Sequence, residues 1–338
     1  MKILYSYIGK SIFKYFFILI GFFSVVIVSS QLLHLPSIIY HSGLIKFLQV
    51  LFYVNLSFFK YQLFFGFFLS SVLVGYSLRE KREIYAVYSA GISKNQLIFP
   101  VAVVSFIFVA TALVISLVVV PFANRERAEF ITINVKKHIL NSIVQQNFLK
   151  LSDDITIYVS QKEDNKMEDI FIYNKAQGIT ITAKQAEFSN NRLVLKNGYM
   201  QLPSEDGYSI LKFEKYRFVL DVKYIKKYEF EDMENKKLLE IVRSNPDLKN
   251  RALAVLADRI LFGIPFVFIG ITGFLMGLQI QSSRDYVVTT AIFVSILYLI
   301  INTYFVKLIQ KGSVSPLIYG LILTIYFGSL TVYFYRKK

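Results

Sequence analysis

The feature that most limits what this chain can fold into is a series of six apolar stretches, at residues 11–33, 61–78, 96–120, 252–280, 286–306 and 316–335. A helix needs about 20 such residues to cross roughly 30 Å of hydrocarbon. Inside that hydrocarbon every backbone N–H and C=O must be paired within the segment, so the stretches read as helices. They fall in two groups of three around a long insertion. A further apolar run, 44–59, carries Asn55 and Ser57 and ends at Lys60; it reads either as an interfacial helix leading into the second span or as an extension of that span. The first stretch is too long for a cleavable leader and no small-x-small site follows it, so it is expected to stay attached as an anchor.

Composition agrees with a lipid solvent. With 54% hydrophobic and 16% aromatic residues in 338, the chain lacks the polar surface to coat a soluble globule. Cysteine is absent, which excludes a disulfide framework, thiolate metal sites and redox chemistry on sulfur. The net charge of +15 would suggest nucleic acid in a soluble protein, but residues 122–250 hold 21 Lys/Arg against 19 Asp/Glu, only +2. The other +13 belongs to the membrane segments and their short connections, a pattern of topology and lipid headgroups that argues against nucleic acid.

Orientation follows from the same charges. Lys2, Lys10, Lys14, Arg79, Lys81, Arg82, Lys94, Arg284, Arg336, Lys337 and Lys338 fall on one side, against Lys46, Lys60, Lys307 and Lys311 on the other. The positive-inside rule then places both termini in the cytoplasm and the insertion outside. Pro100 and Pro316 sit in first turns and Pro121 where the third span ends, whereas Pro265, after Gly263, lies within the fourth span and should kink it or open its hydrogen-bond ladder, as a hinge or as a harmless bend.

In the insertion, residues 122–140 alternate in charge and read as a helix continuing the third span. The period then changes. Short runs rich in Ile, Val, Thr, Tyr and Phe at 155–159, 170–173, 179–182, 192–195, 199–202, 210–213 and 216–221 are separated by turn formers, among them Asn190-Asn191 and Asn197-Gly198. Seven or so strands at this spacing make an antiparallel sandwich, barrel or jelly roll. The charged stretch 226–250, with Pro246, reads as a linker that is helical around 237–243.

The histidines His34, His41 and His138 are too scattered for a metal cluster, and no metalloprotease, nucleophile-elbow or P-loop motif is present, so the chain has no P-loop with which to hydrolyse ATP. Asp258-Arg259 in the outer half of the fourth span is an intramembrane ionisable pair, a functional candidate or else a local salt bridge or interfacial snorkelling. The most distinctive cytoplasmic segment is 79–93. Charges open it, Ile84, Val87 and Tyr88 fall at i, i+3 and i+4, and Gly91 supplies a stop: an amphipathic helix able to pass movement of a soluble partner to two spans, or an ordinary structured loop.

The segment resembles the charged, Glu-hydrophobic, then small-Gly-hydrophobic-Ser pattern of the permease subunits of the lipopolysaccharide exporter, the LptF/LptG (YjgP/YjgQ) family. The opening Tyr5-Ser6-Tyr7-Ile8-Gly9-Lys10 and the Gly312-Ser313-Val314-Ser315-Pro316 run are similar to theirs as well. The resemblance implies a polytopic α-helical inner-membrane protein of six spans, arranged 3+3, with an inserted periplasmic antiparallel β-jellyroll domain. Its parts would be an N-terminal transmembrane half (1–121) with a coupling helix at about 79–93, a β domain with helical flanks (122–250) and a C-terminal half (251–338).

It also implies a permease of an ABC transporter, not an enzyme, with no cofactor of its own; a separate LptB-like ATPase would bind ATP and Mg. A second permease and LptC-like and LptA-like jelly rolls complete the expected partners of a machine that lifts lipopolysaccharide from the inner membrane. Glu83, Ile84, Val87, Tyr88 and Gly91 would couple to the ATPase, and Ile172 and Val194 would face the substrate groove. The outer end of the first span reads Gln31, His34 and His41 where the family often has Lys or Arg, which leaves phosphate contact to Lys46, Lys60, Arg259, Lys307 or Lys311. The opening phrase leans toward LptG and Phe213-x-x-Tyr216 toward LptF. The competing readings are an envelope scaffold or sensor with an external β-sandwich, and a lipoprotein-releasing ABC permease, which usually has four spans with its large domain after the first.

Overall fold

The computed structural model describes residues 2–35, 40, 43–142, 145–150, 154–163, 166–189, 192–204, 207–219 and 229–337. The chain divides into two compact units, one of Met1–Leu35, Leu51–Arg127 and Tyr228–Lys338 and one of Pro36–Val50 and Ala128–Lys227. Helices in chain order are α1 (Lys2–Leu32), α2 (Leu44–Ser57), α3 (Phe59–Glu80), α4 (Glu83–Ser89), α5 (Lys94–Val114), α6 (Val120–Ser142), α7 (Asn235–Ser244), α8 (Pro246–Leu261), α9 (Phe266–Gln279), α10 (Arg284–Gln310) and α11 (Pro316–Arg336). Among the described residues five helices are long and apolar enough to cross a membrane, or six if α8 and α9, bent by 50° at the break between them, count as one span. The kink expected at Pro265 is thus a full break, with α8 stopping at Leu261 and Pro265 standing immediately before α9.

α3 is the centre of the helical unit. Its Phe64, Phe67 and Phe68 have no exposed surface, and their rings meet Tyr298 of α10 at 4.8 Å and Phe108 of α5 at 4.0 Å between centroids. Lipid is as apolar as these side chains, so helices associate in it chiefly through close packing. That closeness comes from glycine: a Cβ on Gly277 of α9 would strike the Val72 carbonyl, and one on Gly75 of α3 the Phe274 carbonyl. α3 and α9 therefore meet backbone to backbone and join the N-terminal and C-terminal groups of spans. Outward, Phe17, Ile18, Phe22 and Val25 of α1 are exposed, an apolar surface that only lipid or another apolar chain can cover.

The third span runs on past the bilayer length, as its alternating charges suggested, but through a π-helical turn at Ile115–Val119 between α5 and α6. Pro121 explains the turn. It has no N–H to give the Leu117 carbonyl, and its ring crowds that carbonyl. The vacated oxygen accepts instead from Asn235 Nδ2 of α7 at 2.8 Å.

The second unit contains β1 (Asn147–Lys150), β2 (Ile155–Glu163), β3 (Lys166–Asn174), β4 (Ile179–Ser189), β5 (Arg192–Ser204) and β6 (Gly207–Val219). Where sandwich, barrel and jelly roll were open, the described strands form one antiparallel sheet paired in chain order. Six strands replace the seven or so runs, because 192–195 with 199–202, and 210–213 with 216–219, are single strands. β1 had no counterpart among the runs.

A crease crosses the sheet. The pairs that would join Ser160, Asp169, Lys184, Asn197 and Glu214 are missing from an otherwise constant register. At the same line the buried set slips by one residue: Met167 is followed by Ile170, Ala183 by Ala186 and Leu195 by Gly198, three apart where a flat strand would give two. Asp169 and Asn197 hold φ of 47° and 52°, the left-handed conformation that Asp and Asn tolerate best among residues with a Cβ. Asn197-Gly198 is therefore a bend inside β5. Gly198 is required there, since a Cβ would meet the Thr182 carbonyl and the ring of its cross-strand partner Phe213.

Candidate functional site

Between the second and third long helices the chain folds as a short capped helix, where one amphipathic helix over 79–93 was expected. α3 runs to Glu80, Arg82 adopts φ of 60°, and α4 covers seven residues. Gly91, at φ 78°, ends it: the Ile92 N–H donates to the Val87 carbonyl at 3.3 Å and the Gly91 N–H to Tyr88 at 3.0 Å, which satisfies the last carbonyls. Ser93 and Gln96 then cap each other's backbone N–H and start α5. Closed by Gly91 at one end and turned off α3 by Arg82 at the other, α4 is a short piece joined to two spans.

Of the expected stripe Ile84, Val87 and Tyr88, the first two point inward and Tyr88 does not. Ile84 is 6% exposed and belongs to the helical core, with Val87 packed against it, while Tyr85 and Tyr88 face out. Partial desolvation holds the Tyr88 hydroxyl above its ordinary pKa, so it is a neutral donor at physiological pH. Glu83 is half-buried and accepts from Tyr7 of α1 at 3.1 Å. Tyr7 and Tyr85 escaped the sequence reading because helical spacing gives a stripe without saying which way it turns.

Beside α4 opens a hollow of about 1070 Å³ whose lining includes Arg79, Lys94, Arg336 and Lys337 with Tyr85 and Tyr88. Arg79 Nη2 donates to the Ser282 carbonyl at 2.9 Å, and its Nη1 is buried without a partner among the described residues. Lys94 donates to the Tyr335 carbonyl at 2.6 Å, and Glu80, the one carboxylate among the described lining residues, is engaged by Tyr76 at 3.0 Å. The hollow is thus aromatic and rich in positive donors, a surface suited to carboxylate or phosphate.

A second polar cluster is enclosed by the spans. Lys60 of α3 pairs with Asp258 of α8, whose other oxygen accepts from Asn302 of α10 at 3.3 Å; Tyr319 of α11 donates its proton to Asn302 Oδ1 at 2.6 Å and stands 3.5 Å from that Asp258 oxygen. The Lys60 ammonium lies over the rings of Tyr61 and Phe262. Arg259 points elsewhere, donating to Asn235 Oδ1 at 2.5 Å and to the Glu231 carbonyl at 2.9 Å. Asp258 and Arg259 are therefore not a local pair; each is satisfied by a distant element. Of the other cations singled out, Lys46, Lys307 and Lys311 are exposed, whereas Lys60 and Arg259 are buried. Ile172 lies in the sheet core with Ile157 and Ile181; Val194 lies half-buried on the face opposite Leu193 and Leu195.

Apolar spans joined by glycine contacts, an antiparallel β insertion and a short helix between two spans define a multi-pass membrane protein with an inserted β domain. The family described as lipopolysaccharide export system permease LptF/LptG matches residues 6–337, and the chain belongs to it. A comparison with curated proteins gives no match.

Proposed function

We propose that this chain is one permease of an ABC-type exporter that lifts lipopolysaccharide from the inner membrane toward a periplasmic β bridge, powered by a separate cytoplasmic ATPase that binds the ATP and Mg. Membership of the permease family supports the transport of lipopolysaccharide. The observation that carries the finer reading is α4: seven residues, entered through Arg82 at φ 60° and closed by Gly91, anchored inward by Ile84 and Val87 and offering Tyr85 and Tyr88 beside a positively charged hollow. A helix fixed this way moves only with its spans, which is what transmission from a soluble motor needs. Glu83 and Gly91 then act as positioning residues, one tied to α1 and the other setting the cap.

A second permease of the same family would complete the membrane part. The outer edge of β6 carries no strand among the described residues, and Tyr208, Ile210 and Leu211 on that strand are exposed. An open edge with apolar side chains suits strand addition by LptC-like or LptA-like partners. Lys46, Lys307 and Lys311 are the better candidates for lipid phosphate, because Lys60 and Arg259 already have partners. Co-purification of the tagged chain with its ATPase tests the reading: the double change Tyr85→Ala/Tyr88→Ala should reduce recovered ATPase at least about tenfold, and Glu83→Arg should do likewise. Full recovery with both would remove α4 from the coupling path.

A further inference from the structure

The crease in the β sheet makes a second hollow, of about 350 Å³, whose lining includes the rings of Tyr158, Phe171 and Tyr199 and the polar side chains of Asp169, Lys184 and Asn197. The register explains why they meet. Tyr158 pairs with Phe171, Phe171 with Thr182 and Thr182 with Tyr199, so one row of the sheet holds all three rings; Asp169, Lys184 and Asn197 are neighbours along the crease. Tyr199 is 52% exposed, although an aromatic ring on a sheet is ordinarily an anchor for packing.

Two features bear on what the hollow could hold. Asp169, Lys184 and Asn197 are exposed and make no side-chain hydrogen bond or ion pair among the described residues, so an acid, a base and an amide are open to a ligand. Asp169 and Asn197 are also held in the left-handed region, a cost of about 1–2 kcal/mol per residue that persists where surrounding structure enforces it and that concentrates at functional sites. Aromatic walls with a few convergent, uncommitted polar groups are the make-up of a small-molecule site.

We propose that the hollow is a saccharide subsite that takes a phosphorylated sugar of the lipopolysaccharide headgroup. The apolar face of a pyranose would lie on the tyrosine rings, Asp169 and Asn197 would bond its hydroxyls, and Lys184 would meet a phosphate. The inference rests on the lipopolysaccharide-export reading and adds to it a contact with the sugar portion, separate from any groove for acyl chains.

The test uses the full chain in phospholipid nanodiscs, free of glycoside detergent, with two probes: deacylated, phosphorylated core oligosaccharide, and intact lipopolysaccharide. Titration calorimetry should detect the oligosaccharide, and Asp169→Asn/Tyr199→Ala should weaken it at least about tenfold. Asn keeps the left-handed backbone, so circular dichroism should be unchanged, and Lys175→Ala, at an exposed position in the turn between β3 and β4, should bind as the parent does. If intact lipopolysaccharide binds while the oligosaccharide does not, or if the double variant binds the oligosaccharide undiminished, the subsite is wrong and the export reading stands. If neither probe binds, both fail.

Discussion

Lys60 and Asp258 are 198 positions apart and form an ion pair among membrane helices, where an isolated charge is costly and a paired one is tolerated. The pair has an uneven consequence. Removing one partner strands the other: Asp258→Ala should destabilise the chain by about 3–5 kcal/mol, whereas Lys60→Met/Asp258→Leu, which removes both charges, should recover most of the loss. Thermal unfolding of the three proteins in one detergent measures this, and a double variant as unstable as the single would mean that the charges do more than neutralise each other. Tyr298 gives the opposite case, since its hydroxyl is buried with no partner among the described residues. Tyr298→Phe should leave stability unchanged or raise it by about 1 kcal/mol in the same assay, and a loss would show that the hydroxyl has a bonded partner such as an ordered water.

Elements here are positioned by what interrupts them. The π-helical turn before α6 exists because Pro121 cannot bond Leu117, and Asn235 links that orphaned carbonyl to the buried Arg259. Asn235→Leu would leave both groups short of a partner, at about 1–3 kcal/mol each, so a lowered melting temperature is expected, and an unchanged one would remove the link from the account. Gly91→Ala should cost about 1–2 kcal/mol, because its φ of 78° suits a residue without a Cβ. Both interruptions show what a sequence reveals. The stop at Gly91 and the break at Pro265 were legible because glycine and proline act on their own backbone. The partner of the Leu117 carbonyl that Pro121 frees was not, since it arrives from more than a hundred residues away. Asn197-Gly198 misled for a related reason: the dipeptide announces φ above zero, which a hairpin and a bend inside one strand require equally. Ile84 and Val87 were legible as a stripe, but their inward direction is decided by α3 and the neighbouring spans.

At the scale of the whole molecule, charge and topology constrain each other. Of the net +15, +13 lies outside residues 122–250, and with α8 and α9 counted as one span the six spans would bring both termini to the side where the cations of the short connections gather. Electrostatics during insertion should therefore hold Arg79–Lys94 and the C-terminus in the cytoplasm and the β unit outside. The chain has no cysteine, so any introduced thiol is unique and reports its side cleanly. Tyr173→Cys and Tyr208→Cys, both at exposed positions of the sheet, should react with a membrane-impermeant maleimide in cells whose outer membrane alone has been opened. Lys81→Cys and Lys337→Cys should react only after the inner membrane is breached. Adding arginines to the 312–315 connection should weaken this asymmetry, because the rule counts cations in short loops near span ends and gives little weight to distant domains. Early labelling at Lys337→Cys, with Tyr173→Cys protected, would invert the orientation and place α4 and its hollow on the wrong side for any cytoplasmic motor.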